Sequence, residues 1–192
     1  MKPSIKTLIA LTITTIGLTL STLNVKAAEP NQVTVLTEVK KVNKITVSGN
    51  VELILVQSAD ESVKVYDSYF SKNALVQQKD GELRVSSFNK EALTVVVYVS
   101  NLSSISASDN STIKTFGKFN TLSLDVNLKD KATAVLNTNT VNLFANLNGQ
   151  SNLSLTGTTL EYNAIMGSVA TVSMSQFTAS TTNIQSKSNS VV

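Results

Sequence analysis

The sequence predicts an all-β chain, folded as a right-handed, single-stranded parallel β-helix with coils of about nineteen residues. Three observations carry this expectation. Short runs alternate apolar and polar residues at a period of two, which is the mark of strands with one buried face. The second half of the chain matches itself when slid by nineteen places, and that unit contains no helical pattern.

The elements follow in chain order. Residues 1–27 read as a secretory signal peptide: Lys2 and Lys6, an apolar run from about Leu8 to Leu23, then Val25-Lys26-Ala27 as a small-residue cleavage site. The run is Thr-rich and falls short of the ~20 apolar residues that a spanning helix needs, so no membrane span is expected after cleavage. Residues 28–41 are an N-terminal segment, and residues 42–192 form the β-helical domain. Lys2, Lys6 and Lys26 are three of the sixteen basic residues, so thirteen basic residues face thirteen acidic ones in the mature chain. A neutral domain without a Lys/Arg cluster lacks the footprint of a nucleic-acid binder. Cysteine, histidine and tryptophan are absent, which removes disulfides, thiolate or imidazole metal sites and histidine-based triads.

From about Val42 to Ser100 the strand-like runs KITVSG, VELILVQS, ESVKVYD, ALVQQ, ELRVSSF and LTVVVYV do not keep the nineteen-residue period. They are expected to form irregular early coils of the same domain. Asp80-Gly81 is a tight-turn signal for either a hairpin or a coil corner.

The period itself starts near residue 102. It aligns Thr121, Thr140, Thr159 and Thr178, and beside them Leu122, Val141, Leu160 and Ala179. Leu124, Leu143 and Tyr162 follow, then Val126, Ala145 and Ala164, then Leu128, Leu147 and Met166. A second block aligns Ala134, Leu153, Val172 and Val191, with Leu136, Leu155 and Met174 alongside; Ile105 and Ala107 extend two columns one period earlier. Parallel neighbours at ~4.8 Å would place these like residues directly above one another. Threonines can then hydrogen-bond along a ladder, whereas like charges would repel. This accounts for VNLFANLNGQSNLSLTG at 141–157, which has no charge and whose Val141, Leu143, Ala145, Leu153 and Leu155 are expected in the core. The absence of a six-residue rhythm argues against a left-handed coil, and parallel crossovers are otherwise right-handed.

The order of motifs, KITVSGNVELILVQSADESVKVY, a DGEL turn, LTVVVYVSNLSSISASDNSTIK and then the polar alternation, resembles the GIN-domain family of bacterial exported proteins, described as auto-transporter adhesin head domains. The resemblance implies a β-helical domain of the bacterial envelope with an adhesive role. It implies no catalytic motif, and a C-terminal barrel of strands crossing an outer membrane is not expected.

Candidate sites are few. Phe144 and Phe177 fall in otherwise polar columns, where an exposed ring could stack on a sugar or pack on a neighbour; Tyr66, Tyr69 and Phe70 form another aromatic cluster. Asp109, Ser111 and Asp130 suggest a weak calcium corner, against which ordinary turn chemistry is preferred. Only Asp109, Asp125, Asp130 and Glu161 are acidic in the periodic region, too dispersed for a paired-carboxylate glycosidase. Neither a cofactor nor a metal is expected. The leading expectation is a non-enzymatic exported protein of the periplasm, cell surface or extracellular space, an adhesin head whose partner is a surface glycan or an envelope protein. The alternatives are a structural component that self-associates end to end, and a carbohydrate-active β-helix enzyme using Asp125 or Asp130.

Overall fold

A computed structural model describes residues 33–66 and 74–187. The signal-peptide reading of residues 1–27, and Tyr69 and Phe70, lie outside the described residues. Fourteen strands are described. They are β1 (Val33–Leu36), β2 (Lys44–Gly49), β3 (Val51–Gln57), β4 (Ser62–Tyr66), β5 (Ala74–Lys79), β6 (Glu82–Ser87), β7 (Leu93–Val99), β8 (Ser104–Ala107), β9 (Thr112–Phe116), β10 (Phe119–Asn120), β11 (Ser123–Leu128), β12 (Thr133–Leu147), β13 (Asn152–Met166) and β14 (Thr171–Ser186). All fourteen belong to one hydrogen-bonded sheet. Among the described residues no helix is long and apolar enough to cross a membrane.

The chain is all-β, but the expected single-stranded parallel β-helix is not what forms. The sheet is mixed and curls into a half-barrel. β1 pairs antiparallel with β4, β4 with β7, and β5 with β6. The reason is local at the last of these. Asp80 and Gly81 both adopt positive φ, 51° and 79°, which reverses the chain in a two-residue hairpin and lays Gln77 beside Arg84. The first half therefore contributes hairpin and antiparallel strands where early coils were expected. Its parallel strands interleave: β2 lies between β6 and β8, and β3 between β7 and β9.

Curling follows from burial. A sheet with one apolar face and no helix to cover it must close over itself to remove that face from water. Ile45, Val47, Leu53, Leu55, Val63, Val65, Val95 and Val97 are essentially inaccessible in the first half, and Leu124, Val126, Leu128, Leu143, Leu147, Leu153 and Tyr162 continue the same core.

In the second half the nineteen-residue offset is the register of neighbouring parallel strands. Leu124 pairs with Leu143 and Leu143 with Tyr162, and Ala134 pairs with Leu153 and Leu153 with Val172. The offset does not hold throughout. β8 meets β11 at an offset of twenty-one, so Ile105 lies beside Val126 and Ala107 beside Leu128, not beside Leu124 and Val126. Between Ser154 and Thr156 the register against β14 slips by one residue, a bulge in β14. Thr159 therefore faces Ala179, and Thr178 faces Thr158. The expected four-member threonine ladder is reduced to one buried pair, in which the Thr140 hydroxyl donates to Thr159 Oγ1 at 2.8 Å.

Val141 is also corrected. It is not core, because the strand turns a corner after Thr140: Thr138 and Thr140 point inward, then Val141 and Asn142 are both exposed before Leu143 returns to the interior. Leu122 and Leu160 are exposed at the equivalent corners.

Candidate functional site

The corner and the sheet face that follows it make a continuous outward strip. At the corner, Ser100, Asn101, Asn120, Thr121, Asn139 and Thr140 combine with Leu122 and Val141 to line a shallow groove of about 570 Å3. Its polar groups are fixed by one another. Gln57 Nε2 donates to the Asn120 carbonyl at 2.8 Å while Asn120 N–H donates to Gln57 Oε1 at 2.9 Å. The Thr121 hydroxyl donates to Asn101 Oδ1 at 3.1 Å, and the Thr158 hydroxyl to Asn139 Oδ1 at 3.0 Å. Leu122, 78% exposed, stands beside these amides with Val141 on the next strand.

Beyond the corner, successive side chains on the outer face come from β11, β12, β13 and β14. One row is Asp125, Phe144, Asn163 and Asn183; the next is Asn127, Asn146, Ile165 and Gln185. Phe144, Asn163, Ile165, Asn183 and Gln185 line a second groove of about 320 Å3. Phe144 is half-buried by its neighbours with the remainder of its ring open. Asn163 Nδ2 donates to Glu161 Oε1 at 2.8 Å, and this orients the amide next to the ring. Chemically, the strip offers one aromatic face, several amides able to donate and accept, and few ionisable groups.

Phe177 does not join Phe144. The bulge in β14 sets it opposite Gly157 and turns it inward, where it packs edge-on against Tyr162 with ring centroids 5.8 Å apart. Of the two outcomes open to each ring, Phe177 takes packing on a neighbour, while Phe144 lines the outer groove. The corner groove was missed because Leu122, Val141 and Leu160 read as core in an apolar column. The inward threonines beside them were the available signal, since a buried threonine on the same strand displaces the alternation by one.

The acidic candidates are also placed. Asp109 and Asp130 sit at turn positions with φ of 59° and 57°. Gly49 N–H donates to Asp109 Oδ2 at 2.8 Å, and Asp109 N–H donates to Asp130 Oδ2 at 3.3 Å. Each carboxylate thus caps a backbone donor of the turn below it. Ser111, the third member of the suggested calcium corner, donates to the Ser108 carbonyl at 2.7 Å. Among the described residues no group of three acidic side chains is placed to hold a metal ion. Asp125 stands between Ser104 on one side and Phe144 on the other, with no second carboxylate beside it in the register.

Elsewhere on the surface, Glu82 accepts from Arg84 Nη2 at 2.7 Å and from the Thr46 hydroxyl at 2.6 Å, with Lys44 Nζ at 3.5 Å. The Arg84 hydrogen bond, then Thr46, hold its carboxyl down to a pKa of about 2. Tyr162 is the opposite case: burial pushes its phenol up to about 12.

The family model described as "Putative auto-transporter adhesin, head GIN domain" matches residues 41–192. Solved structures share the fold at low identity. A "putative adhesin" of Parabacteroides distasonis superposes with a TM-score of 0.63 at 16% identity, covering 81% of this chain and 77% of that one. A "putative adhesin" of Parabacteroides merdae gives 0.59 at 14% identity, covering 81% and 77%. A "putative lipid binding protein" of Parabacteroides distasonis gives 0.60 at 12% identity, covering 81% and 78%. No curated protein sequence matches the chain.

Proposed function

We propose that this chain, which belongs to the auto-transporter adhesin head GIN-domain family, is a non-enzymatic adhesive domain that binds neutral glycan through its outward strip. The observation that carries the reading is the Phe144 groove. A ring in the company of Asn163, Asn183 and Gln185 matches the two faces of a sugar, whose C–H surface stacks on an aromatic and whose hydroxyls pair with amides. The corner amides extend the same chemistry along the strip, and the exposed Leu122 and Val141 provide apolar contact beside them. The absence of a net charge in the chain after residue 27 fits a neutral ligand, because no long-range steering is built in.

A non-catalytic role is supported by the engagement of Asp109 and Asp130 with backbone donors. The reading places the domain outside the cytoplasm, in the periplasm or on the cell surface, as the leader-like residues 1–27 and the adhesin family suggest.

The test is a glycan array and a whole-cell adhesion assay with residues 28–192, followed by titration of the best glycan. Phe144→Ala is expected to weaken binding about tenfold, equivalent to ~1.4 kcal/mol. Asn163→Ala should weaken it less, and Phe88→Ala, an exposed ring elsewhere, should leave it unchanged. A blank array together with no adhesion would remove the proposal. Glycan cleavage lost on changing Asp125 would replace it with catalysis.

A further inference from the structure

β14 ends the described sheet differently from the other margins. It runs sixteen residues, Thr171–Ser186, and among the described residues its one neighbour is β13. Its second edge therefore presents a row of backbone donors and acceptors. The other terminal strands of the sheet, β1 and β5, are only four and six residues long. Short length is one of the devices that keep an edge from pairing.

Two further properties coincide on β14. First, TVSMSQFTASTTNIQS contains no Lys, Arg, Asp, Glu, Pro or Gly, so none of the usual edge blockers is present. Second, the inward side chains that would be capped by a next strand are left half open. Val172, Met174, Phe177 and Ala179 are only partly buried against the core, and Ile184, opposite the buried Ala164, is 45% exposed. The apolar interior and the unpaired backbone thus end on the same surface.

We propose that a second copy of this chain covers that surface, with β14 pairing antiparallel to its own equivalent across a two-fold axis. Charge selects the occupant. A strand with no ionisable side chain places no like charges opposite each other when it meets itself, in any register, and it offers an acidic or basic peptide no opposite charge. Area is sufficient as well. An edge of sixteen residues at ~3.3 Å each, over a sheet depth of ~10 Å, gives roughly 500 Å2 per partner and about 1,000 Å2 in total. That reaches the lower bound for a specific dimer, and the open core residues add to it. A two-fold pair closes on itself and leaves no further β14 edge, which stops growth at the dimer.

The pairing leaves the Phe144 strip outward on both copies, so it does not depend on the glycan reading. The experiment is sedimentation equilibrium of residues 28–192 across a wide concentration range. Wild type is expected to approach twice the monomer mass. Ile184→Lys puts a cation on the open core end, and Thr178→Lys puts one on the exposed side of the edge; each appears twice across the axis. Each should raise the dimer dissociation constant about tenfold or more, whereas Asp60→Lys in an exposed loop should not. Circular dichroism of the three variants separates lost pairing from lost folding, and because both replaced side chains are substantially exposed, at least one variant should remain folded. A wild type that stays monomeric throughout, an open-ended series of masses, or a dimer unaffected by both lysines overturns the proposal.

Discussion

Replacing Gly157 by alanine should be among the most damaging small substitutions in this domain. Gly157 has a φ of 103°, and a Cβ there would lie 2.1 Å from the Thr138 carbonyl oxygen on the adjoining strand. Thr138 and Gly157 are parallel neighbours in β12 and β13, so the obstructing atom is backbone and cannot rotate away. Relieving the clash requires the two strands to separate by about 1 Å from their ~4.8 Å spacing, which breaks the ladder hydrogen bonds at that level. Two such bonds at ~1 kcal/mol each, with another ~1–2 kcal/mol for placing a side chain at positive φ, give a loss of ~3–4 kcal/mol. For a domain of this size that corresponds to a fall in Tm of roughly 10 °C.

Gly117 supplies the internal control. Its φ is 77°, yet a Cβ there would meet nothing within 4 Å, so Gly117→Ala carries the conformational penalty alone, ~1–2 kcal/mol. Urea unfolding of both variants, with the midpoint and slope fitted separately, measures the difference. If Gly157→Ala lost no more than Gly117→Ala at an unchanged slope, the close approach of β12 and β13 would not be what makes glycine necessary there.

Three smaller perturbations probe other parts of the structure. Thr140→Val removes the buried hydroxyl that donates to Thr159 Oγ1, while Thr159 keeps its own contacts with the Val141 and Glu161 carbonyls, so denaturant titration should show a loss of only ~1 kcal/mol. Glu82, with a folded pKa of about 2, lies below its ordinary value of 4.5, so its stabilising effect is present above the ordinary carboxylate range and is lost as pH falls through about 2. A carbon-13 NMR titration should find its carboxylate still ionised at pH 3, and Arg84→Ala should move it toward 4.5. Tyr162, with a folded value of about 12, works in the other direction: stability holds below the ordinary value of 10 and falls as pH rises from there through about 12. An ultraviolet titration that ionises Tyr162 near 10 with the fold intact would contradict its burial, and Tyr162→Phe should abolish the high-pH phase with little loss of stability, since its buried hydroxyl has no protein partner among the described residues.

Patterning along the chain was enough to determine that the domain is all-β, that the apolar residues Leu124, Val126 and Leu128 of β11 share a buried face, and that β11, β12 and β13 stand nineteen residues apart. These are properties of local alternation and of parallel register, both written in one dimension. The period did not determine closure. A series of parallel strands in regular register is equally consistent with a coil and with part of a mixed sheet, and the antiparallel strands that decide between them lie in the aperiodic first half. There, the signal of Asp80-Gly81 allowed two outcomes, and the positive φ of both residues produced the hairpin. The site was divided in the same way. Phe144 was legible as an outward ring because it interrupts a polar column. Phe177 read the same way in the sequence, but one extra residue in β14 moves it to the inner face, where it packs on Tyr162. Corners did the rest: where the strand bends at Thr140, the bend exposes two successive residues and carries Val141 from the expected core to the groove. Burial of that kind is a property of strands meeting in space, and tertiary packing alone decided it.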